Sequence, residues 1–160
     1  MYCIGDKIVY PLYGAGTILD LEDKHIDGAH YTYYVLEIPI GNLTIHLSTA
    51  KAADLNVRPI VQQPHIAGVL TKVAQTYVSM PDNWNLRYKE NIGRIKSGLL
   101  EEVATVYQGL LVRERDRGLS TAEKKMMIST KQIILSELIL SLDIQREEAE
   151  TTLDDIFLPK

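Results

Sequence analysis

The sequence predicts an α+β protein, with a small antiparallel β-structure in residues 1–60 and an all-α helical bundle in residues 61–160. Two observations lead to this prediction. Before Pro59 the apolar residues fall in short β-rich runs separated by glycine turns, whereas after Pro64 they recur at helical spacing. The hydrophobic fraction of 46% is typical of a globular protein and too high for a disordered one.

The N-terminal half contains four β-rich runs, each of a length that suits a strand. They are residues 7–12, 17–22, 31–38 and 43–47. The glycine-rich segment at residues 13–16 predicts a turn between the first two runs, and Asp27-Gly28 is a hairpin signal before the third. Four or five short strands in about sixty residues predict a small barrel of the SH3 or Tudor type.

The C-terminal half shows apolar residues three to four positions apart, which predicts helices. The segments with this spacing are residues 66–78, 88–99, 99–110, 126–142 and 149–157. Gly118 predicts the end of one helix, and the capping box Ser120-Thr121-Ala122-Glu123 predicts the start of the next. Residues 126–142 are apolar on most faces, which indicates a central helix in a bundle of four or five.

The net charge of −4 hides a segregation of charge along the chain. Residues 84–131 carry ten Lys/Arg against six Asp/Glu, whereas residues 132–160 carry two against seven. Charged partners respond to the potential within about 8–10 Å, so the local excess matters more than the mean. The basic segment suits a light contact with phosphates better than a tight grip on DNA.

The sequence favours a binding protein over an enzyme. It contains no HExxH or GxSxG motif, and its histidines are scattered, so we predict no catalytic residue, no metal site and no cofactor. The apolar runs are too short to span a bilayer, and the first residues do not form a secretory signal. Cys3 is the single cysteine and cannot form an internal disulfide, which favours the cytoplasm.

The only tryptophan, Trp84, lies at the predicted start of a helix. Four cations follow it within twelve residues, namely Arg87, Lys89, Arg94 and Lys96. A soluble domain normally buries an indole, and Trp84 precedes Tyr88 by four residues, so it could cap the apolar stripe. It could also lie at the surface and contact a partner. By helical phase, Arg87 falls off the apolar stripe and Lys89 faces the solvent.

Four segments occur in an order that is characteristic of one family. They are IGDKIVYPLYG (residues 4–14), LTIHL (43–47), NWNLRYK (83–89) and RGLSTAEK (117–124). Together they resemble the CarD/CdnL family of bacterial transcription regulators, and the resemblance covers essentially the whole chain. The last two segments are specific only in combination.

The resemblance implies a Tudor-like module that docks on the RNA polymerase β subunit, joined to a helical DNA-binding domain. In this family the motif tryptophan wedges into the minor groove of promoter DNA at the upstream edge of the transcription bubble, and it hinders the bubble from closing. The resemblance therefore implies stabilisation of the open promoter complex. The residues it places at DNA are Trp84, Arg87, Lys89 and Lys124, of which Lys124 is otherwise an ordinary solvated lysine.

The resemblance also places Lys24, Ile26 and His46 at the polymerase contact. Lys24 takes a basic position and Ile26 supplies the apolar contact. His46 stands where relatives can carry arginine, which predicts a weaker and pH-sensitive partner unless it is an ordinary edge-strand histidine. Leu86 stands where some relatives carry a basic residue, which predicts a looser grip on DNA.

A function of another class remains open, namely a protein–protein adaptor that does not bind DNA and buries Trp84. DNA binding by the protein alone is expected to be weak. We expect a monomer, and the alternative is a dimer that exchanges halves around the predicted hinge at residues 59–64.

Overall fold

The computed structural model describes residues 1–159, which form five strands followed by five α-helices. The strands are β1 (Lys7–Tyr10), β2 (Gly14–Ile26), β3 (Ala29–Ile38), β4 (Leu43–Ser48) and β5 (Arg58–Pro59). The helices are α1 (Gln63–Ala74), α2 (Trp84–Lys96), α3 (Leu100–Asp116), α4 (Thr121–Leu142) and α5 (Arg146–Phe157). The predicted α+β class is confirmed, while the boundary at residue 60 and the monomeric state stay predictions.

The strands form one antiparallel sheet in the order β4-β3-β2-β1-β5, so β4 and β5 lie at its two edges. β2 and β3 make a long hairpin that closes between Ile26 and Ala29. Both residues of its turn have positive φ, 51° for Asp27 and 79° for Gly28, as the Asp-Gly signal requires. The short β5 was not predicted, because a two-residue strand has too few residues to show a period.

The prediction of a turn at residues 13–16 is wrong, because Gly14 already begins β2. The turn occupies residues 11–13, between the end of β1 and the start of β2. Gly14 has a φ of 120°, and a Cβ there would lie 2.8 Å from Oγ of Ser136 on α4. The next residue, Ala15, donates its backbone N–H to the same oxygen at 2.9 Å. The glycine therefore permits a close approach between sheet and helix.

Two apolar clusters stabilise the protein. The sheet buries Ile8, Ile18, Tyr34, Leu36, Leu47 and Ala52. The larger cluster gathers residues of all five helices, with α4 at its centre, and it also includes Ile40 from the segment before β4. Ile134, Leu135 and Leu138 of α4 are almost completely buried, which confirms the predicted central helix. Among residues 1–159, no helix is both long enough and apolar enough to cross a membrane.

Candidate nucleic-acid interface

Trp84 is the first residue of α2, and 41% of it is exposed. Asn83 is the N-cap, and its Oδ1 accepts a hydrogen bond from the backbone N–H of Leu86 at 3.0 Å. The indole stacks on Tyr88, with the ring centroids 5.2 Å apart and the planes inclined by 17°. Its Nε1 donates to Oγ of Ser120, the N-cap of α4, at 3.1 Å. The possibility that Trp84 is a core residue is therefore wrong.

Arg87 is only 3% exposed, so the prediction that it lies off the buried face of α2 is wrong. Its Nε and Nη2 donate to the two carboxylate oxygens of Glu123 at 2.7 and 3.0 Å. Its Nη1 donates to the backbone carbonyls of Pro81 and Asp82 at 3.1 and 2.9 Å. These bonds use four of the five N–H donors of a guanidinium. Arg87 therefore holds the start of α2 against α4, and it cannot reach a phosphate unless this ion pair opens.

Glu123 connects Arg87 to the tryptophan through Ser120. The hydrogen bonds from Arg87 hold the pKa of Glu123 below its ordinary value of 4.5, although burial acts in the opposite direction. Ser120 Oγ lies 3.2 Å from a carboxylate oxygen of Glu123 and accepts the backbone N–H of Glu123, also at 3.2 Å. The Ser120 hydroxyl therefore donates one hydrogen bond, to Glu123, and accepts two, from Trp84 and from the backbone of Glu123, which is its full capacity. We call Arg87, Glu123 and Ser120 the indole anchor.

Only half of the predicted capping box forms. Ser120 accepts the N–H of Glu123 as expected, but the Glu123 carboxylate bonds to Arg87 and to the Ser120 hydroxyl. It does not reach back to the backbone N–H of Ser120, because the guanidinium is the stronger, charged donor. The box therefore fixes the contact between two helices as well as the start of one.

Two positive helix ends meet at Trp84. The contact with Ser120 brings the N-termini of α2 and α4 together, and each is the positive end of a helix dipole. Lys124 is exposed in the first turn of α4, and Lys89 is exposed on α2 as helical phase predicted. Leu86 is an exposed apolar neighbour in the chain. The accessible ring thus lies between two helices that each carry an exposed lysine.

The residues predicted at the polymerase contact share one face of the sheet. Asp20, Lys24 and Ile26 are separated by even numbers of residues along β2, so all three side chains point to the same face of the sheet. Asp20 and His46 both pair with Val35 of β3, which places His46 of β4 on this face as well. Lys24 Nζ lies 5.1 Å from the centroid of the Tyr33 ring, and His46 Nε2 lies 3.1 Å from a carboxylate oxygen of Glu22. Ile26 is half-exposed at the end of β2. This face is thus accessible and carries both charge and apolar surface.

Comparisons with known proteins match both halves of the chain. Residues 2–61 match the family described as CarD-like/TRCF RID domain, and residues 68–154 match the family described as CarD, C-terminal domain. The chain belongs to the CarD family. It is similar to the "Putative transcription factor YdeB" of Bacillus subtilis (strain 168), with 35% identity over 141 residues that cover 86% of this chain and 90% of that protein. The predicted resemblance is confirmed.

Membership of the CarD family points to a transcription factor rather than an enzyme, and the RID match implies an interaction with RNA polymerase. Sequence reasoning missed three residues beside the sites that it predicted, namely Ser120, Glu123 and Glu22. The capping-box motif marked Ser120 and Glu123 as a helix start, but it gave no sign that they also contact α2. Among residues 1–159, no group of three or more His, Cys, Asp or Glu side chains could hold a metal ion.

Proposed function

We propose that this CarD-family protein binds the β subunit of RNA polymerase and stabilises the open promoter complex. The sheet face with Lys24, Ile26 and His46 contacts the polymerase, and Trp84 contacts DNA at the upstream edge of the bubble. The observation that supports this function best is the exposed indole, which is held in place by a stacked ring and a hydrogen bond. Such a protein acts in the cytoplasm, where RNA polymerase acts.

An anchored ring suits the role of a wedge. Proteins that kink or open the minor groove insert an apolar side chain between base steps, while nearby cations hold the phosphates. The stack on Tyr88 and the bond to Ser120 reduce the rotamer freedom of Trp84 before binding, so less entropy is lost on contact with DNA. Base–aromatic stacking contributes roughly 1–3 kcal/mol, and 1.4 kcal/mol changes an open/closed ratio about tenfold. One ring can therefore shift the equilibrium.

The free protein is expected to bind DNA weakly, with little sequence preference and with a clear dependence on salt. A few lysines would contact phosphates, and each phosphate contributes a slope of about −0.9 to log K against log salt concentration. Lys89→Gln and Lys124→Gln should each reduce the magnitude of the slope by about 1. Fluorescence anisotropy with labelled duplexes measures this slope, and Lys51→Gln in the sheet half is the control. A tight, sequence-selective complex without polymerase would contradict the proposal.

Docking on the polymerase is proposed to combine strand pairing at the free edge of β4 with side-chain contacts from the neighbouring face. The backbone then supplies much of the affinity, and Lys24, Ile26 and His46 supply specificity. His46 already has Glu22 as a neighbour at 3.1 Å, which supports the prediction that it is a weaker partner than arginine. Its pH sensitivity stays a prediction.

Ile26→Asp is expected to weaken binding to a polymerase β fragment by about tenfold or more, because the contact would desolvate a carboxylate. Lys24→Glu should weaken binding less, because its ammonium group stays partly solvated. Biolayer interferometry with the full-length protein measures both effects. The matched control is Ile128→Asp, which changes an isoleucine of similar exposure on α4. Unchanged binding by an Ile26→Asp, Lys24→Glu double variant would remove this face from the proposal.

The decay of open promoter complexes after a competitor is added tests the function directly. We expect a longer lifetime when the protein is present. A protein–protein adaptor would bind polymerase without changing this lifetime, and it would not need the accessible indole that this chain has.

A further inference from the structure

Helix α4 carries a second buried glutamate, Glu137, fourteen residues after Glu123. Its side chain is 1% exposed, and its two oxygens accept hydrogen bonds from Nη1 and Nη2 of Arg58, both at 2.8 Å. The oxygen bonded to Nη1 also accepts the backbone N–H of Val61 at 2.8 Å. Because Arg58 lies in β5, this ion pair joins the edge of the sheet to the central helix of the bundle.

Arg58 also contacts the segment that follows α2. Its Nε donates to the backbone carbonyl of Gly98 at 2.7 Å, and nearby Asn56 donates its side-chain N–H to the carbonyl of Lys96 at 3.2 Å. Gly98 has a φ of 76°, and a Cβ there would lie 2.7 Å from the ring of Pro11. The C-terminal end of α2 is therefore held against the sheet half.

Two ion pairs, each with a buried glutamate on α4, connect the sheet, α4 and α2. Arg58–Glu137 joins the sheet to the middle of α4, and Arg87–Glu123 joins the start of α4 to the start of α2. Between the two glutamates α4 runs about 21 Å, and α2 is about 20 Å long, at roughly 1.5 Å per residue. Since helices are stiff over such lengths, Trp84 lies at a fixed distance from the sheet.

We propose that Arg58 and Glu137 are positioning residues that hold the sheet half and the helical half as one rigid body. A sheet docked on RNA polymerase then holds Trp84 at one place on the DNA. This inference rests on the proposed function. A bidentate guanidinium–carboxylate pair fixes both distance and angle, whereas apolar surfaces can slide over one another. Buried ion pairs often add little net stability over apolar residues, and in some proteins they specify geometry instead.

The test replaces both partners, with Arg58→Met and Glu137→Leu in the full-length protein. Met and Leu have volumes similar to the side chains they replace, so the contact between the sheet half and the helical half stays packed and no unpaired charge is buried. We expect polymerase β binding and free DNA binding to stay near wild type, because neither contact surface changes. The extension of open-complex lifetime should fall about tenfold, as for a loss of 1.4 kcal/mol. The matched control is Arg94→Met with Glu102→Leu, which removes a partly exposed ion pair inside the helical half.

A distance measurement separates positioning from a purely structural effect. Spin labels are placed on the exposed Cys3 and on Glu147→Cys in α5, one in each half, and the distribution of distances is recorded. A narrow distribution is expected for wild type, and a broad one for the double variant. If the double variant does not fold, Arg58→Lys keeps the charge and removes the planar fork.

Two outcomes overturn the inference, namely an unchanged distance distribution or a full extension of lifetime despite a broadened one. If wild type itself does not extend the lifetime, the proposed function fails and with it the role in positioning Trp84 on DNA. The distance distributions still decide whether Arg58 and Glu137 hold the halves together.

Discussion

Trp84→Ala is expected to shorten the lifetime of open promoter complexes about tenfold while polymerase docking stays intact. The removed ring would stack on an unpaired base step, and such stacking contributes roughly 1–3 kcal/mol. A loss of 1.4 kcal/mol in this range corresponds to the tenfold change. Docking should be unaffected, because the proposed polymerase contacts lie on the sheet.

The same substitution should leave the protein folded. Trp84 is 41% exposed, so alanine removes one stacking contact with Tyr88 and one hydrogen bond to Ser120. These contribute about 1–3 kcal/mol together, whereas truncation of a core aromatic residue costs about 3–5 kcal/mol. In a protein of this size, each kcal/mol lowers Tm by roughly 2–4 °C. Thermal unfolding of the preparation used for the lifetime assay measures this change.

Two further variants test whether the effect is specific to Trp84 and whether it depends on the hydrogen bond to Ser120. Tyr77→Ala removes another aromatic side chain, 87% exposed and outside α2, and should leave the lifetime unchanged. Trp84→Phe keeps an aromatic face but cannot donate to Ser120, so we expect an intermediate lifetime. A large loss of Tm in Trp84→Ala, with an unchanged lifetime while the variant is folded, would show that the ring is not a wedge.

Much of the fold could be predicted because it depends on local signals. Strand and helix periods located four strands and the bundle, and Asp27-Gly28 identified the hairpin turn from two residues. A glycine in a sequence indicates only that the backbone can adopt an unusual conformation there. A turn is the commonest reason for one, so the sequence places Gly14 in a turn. The reason for the glycine here is Ser136, which lies 122 residues away in the chain and 2.8 Å from a Cβ at that position.

The candidate site could be predicted only in part. The apolar residues Tyr88, Ile92 and Ile95 predict the buried face of α2. Ile95 is fully buried as predicted, but the other fully buried positions are Arg87 and Asn91. Tyr88 and Ile92 are partly buried against the helical core, so the buried face includes the predicted stripe and extends to the polar residues Arg87 and Asn91. A charged residue is almost never fully buried without a partner, and the partner of Arg87 lies 36 residues away in the chain. Periodicity within one helix carries no information about such a pair.

Glu123→Gln is expected to cause a large loss of stability. The change leaves the Arg87 guanidinium buried without an anionic partner, and breaking a buried ion pair costs about 3–5 kcal/mol. Chemical denaturation at pH 7 measures the difference in free energy of unfolding. Because Ser120 loses a charged neighbour, the fluorescence of the sole tryptophan should also change in the folded variant.

The matched control is Glu102→Gln, which removes the partner of Arg94 on α3. The Arg94–Glu102 ion pair has a separation of 2.8 Å, close to the 2.7 Å of Arg87–Glu123, but its side chains are 41% and 33% exposed. Exposed pairs contribute about 0–1 kcal/mol, so the control should lose far less stability. Equal losses in the two variants would show that burial does not govern the effect.

The difference between wild type and Glu123→Gln should also depend on pH. Hydrogen bonds from Arg87 hold the pKa of Glu123 in the folded protein below 4.5, its ordinary value and the one expected in the unfolded chain. The ionised carboxylate therefore contributes its full stability above that ordinary value. The contribution is lost as pH falls through the lower, folded pKa, because protonation removes the charge that Arg87 binds. Unfolding curves from pH 7 downward should show a constant difference until about pH 4.5 and a shrinking one below it. A difference that stays constant down to pH 2, in a range where both proteins still fold, would show that the Glu123 charge does not hold Arg87.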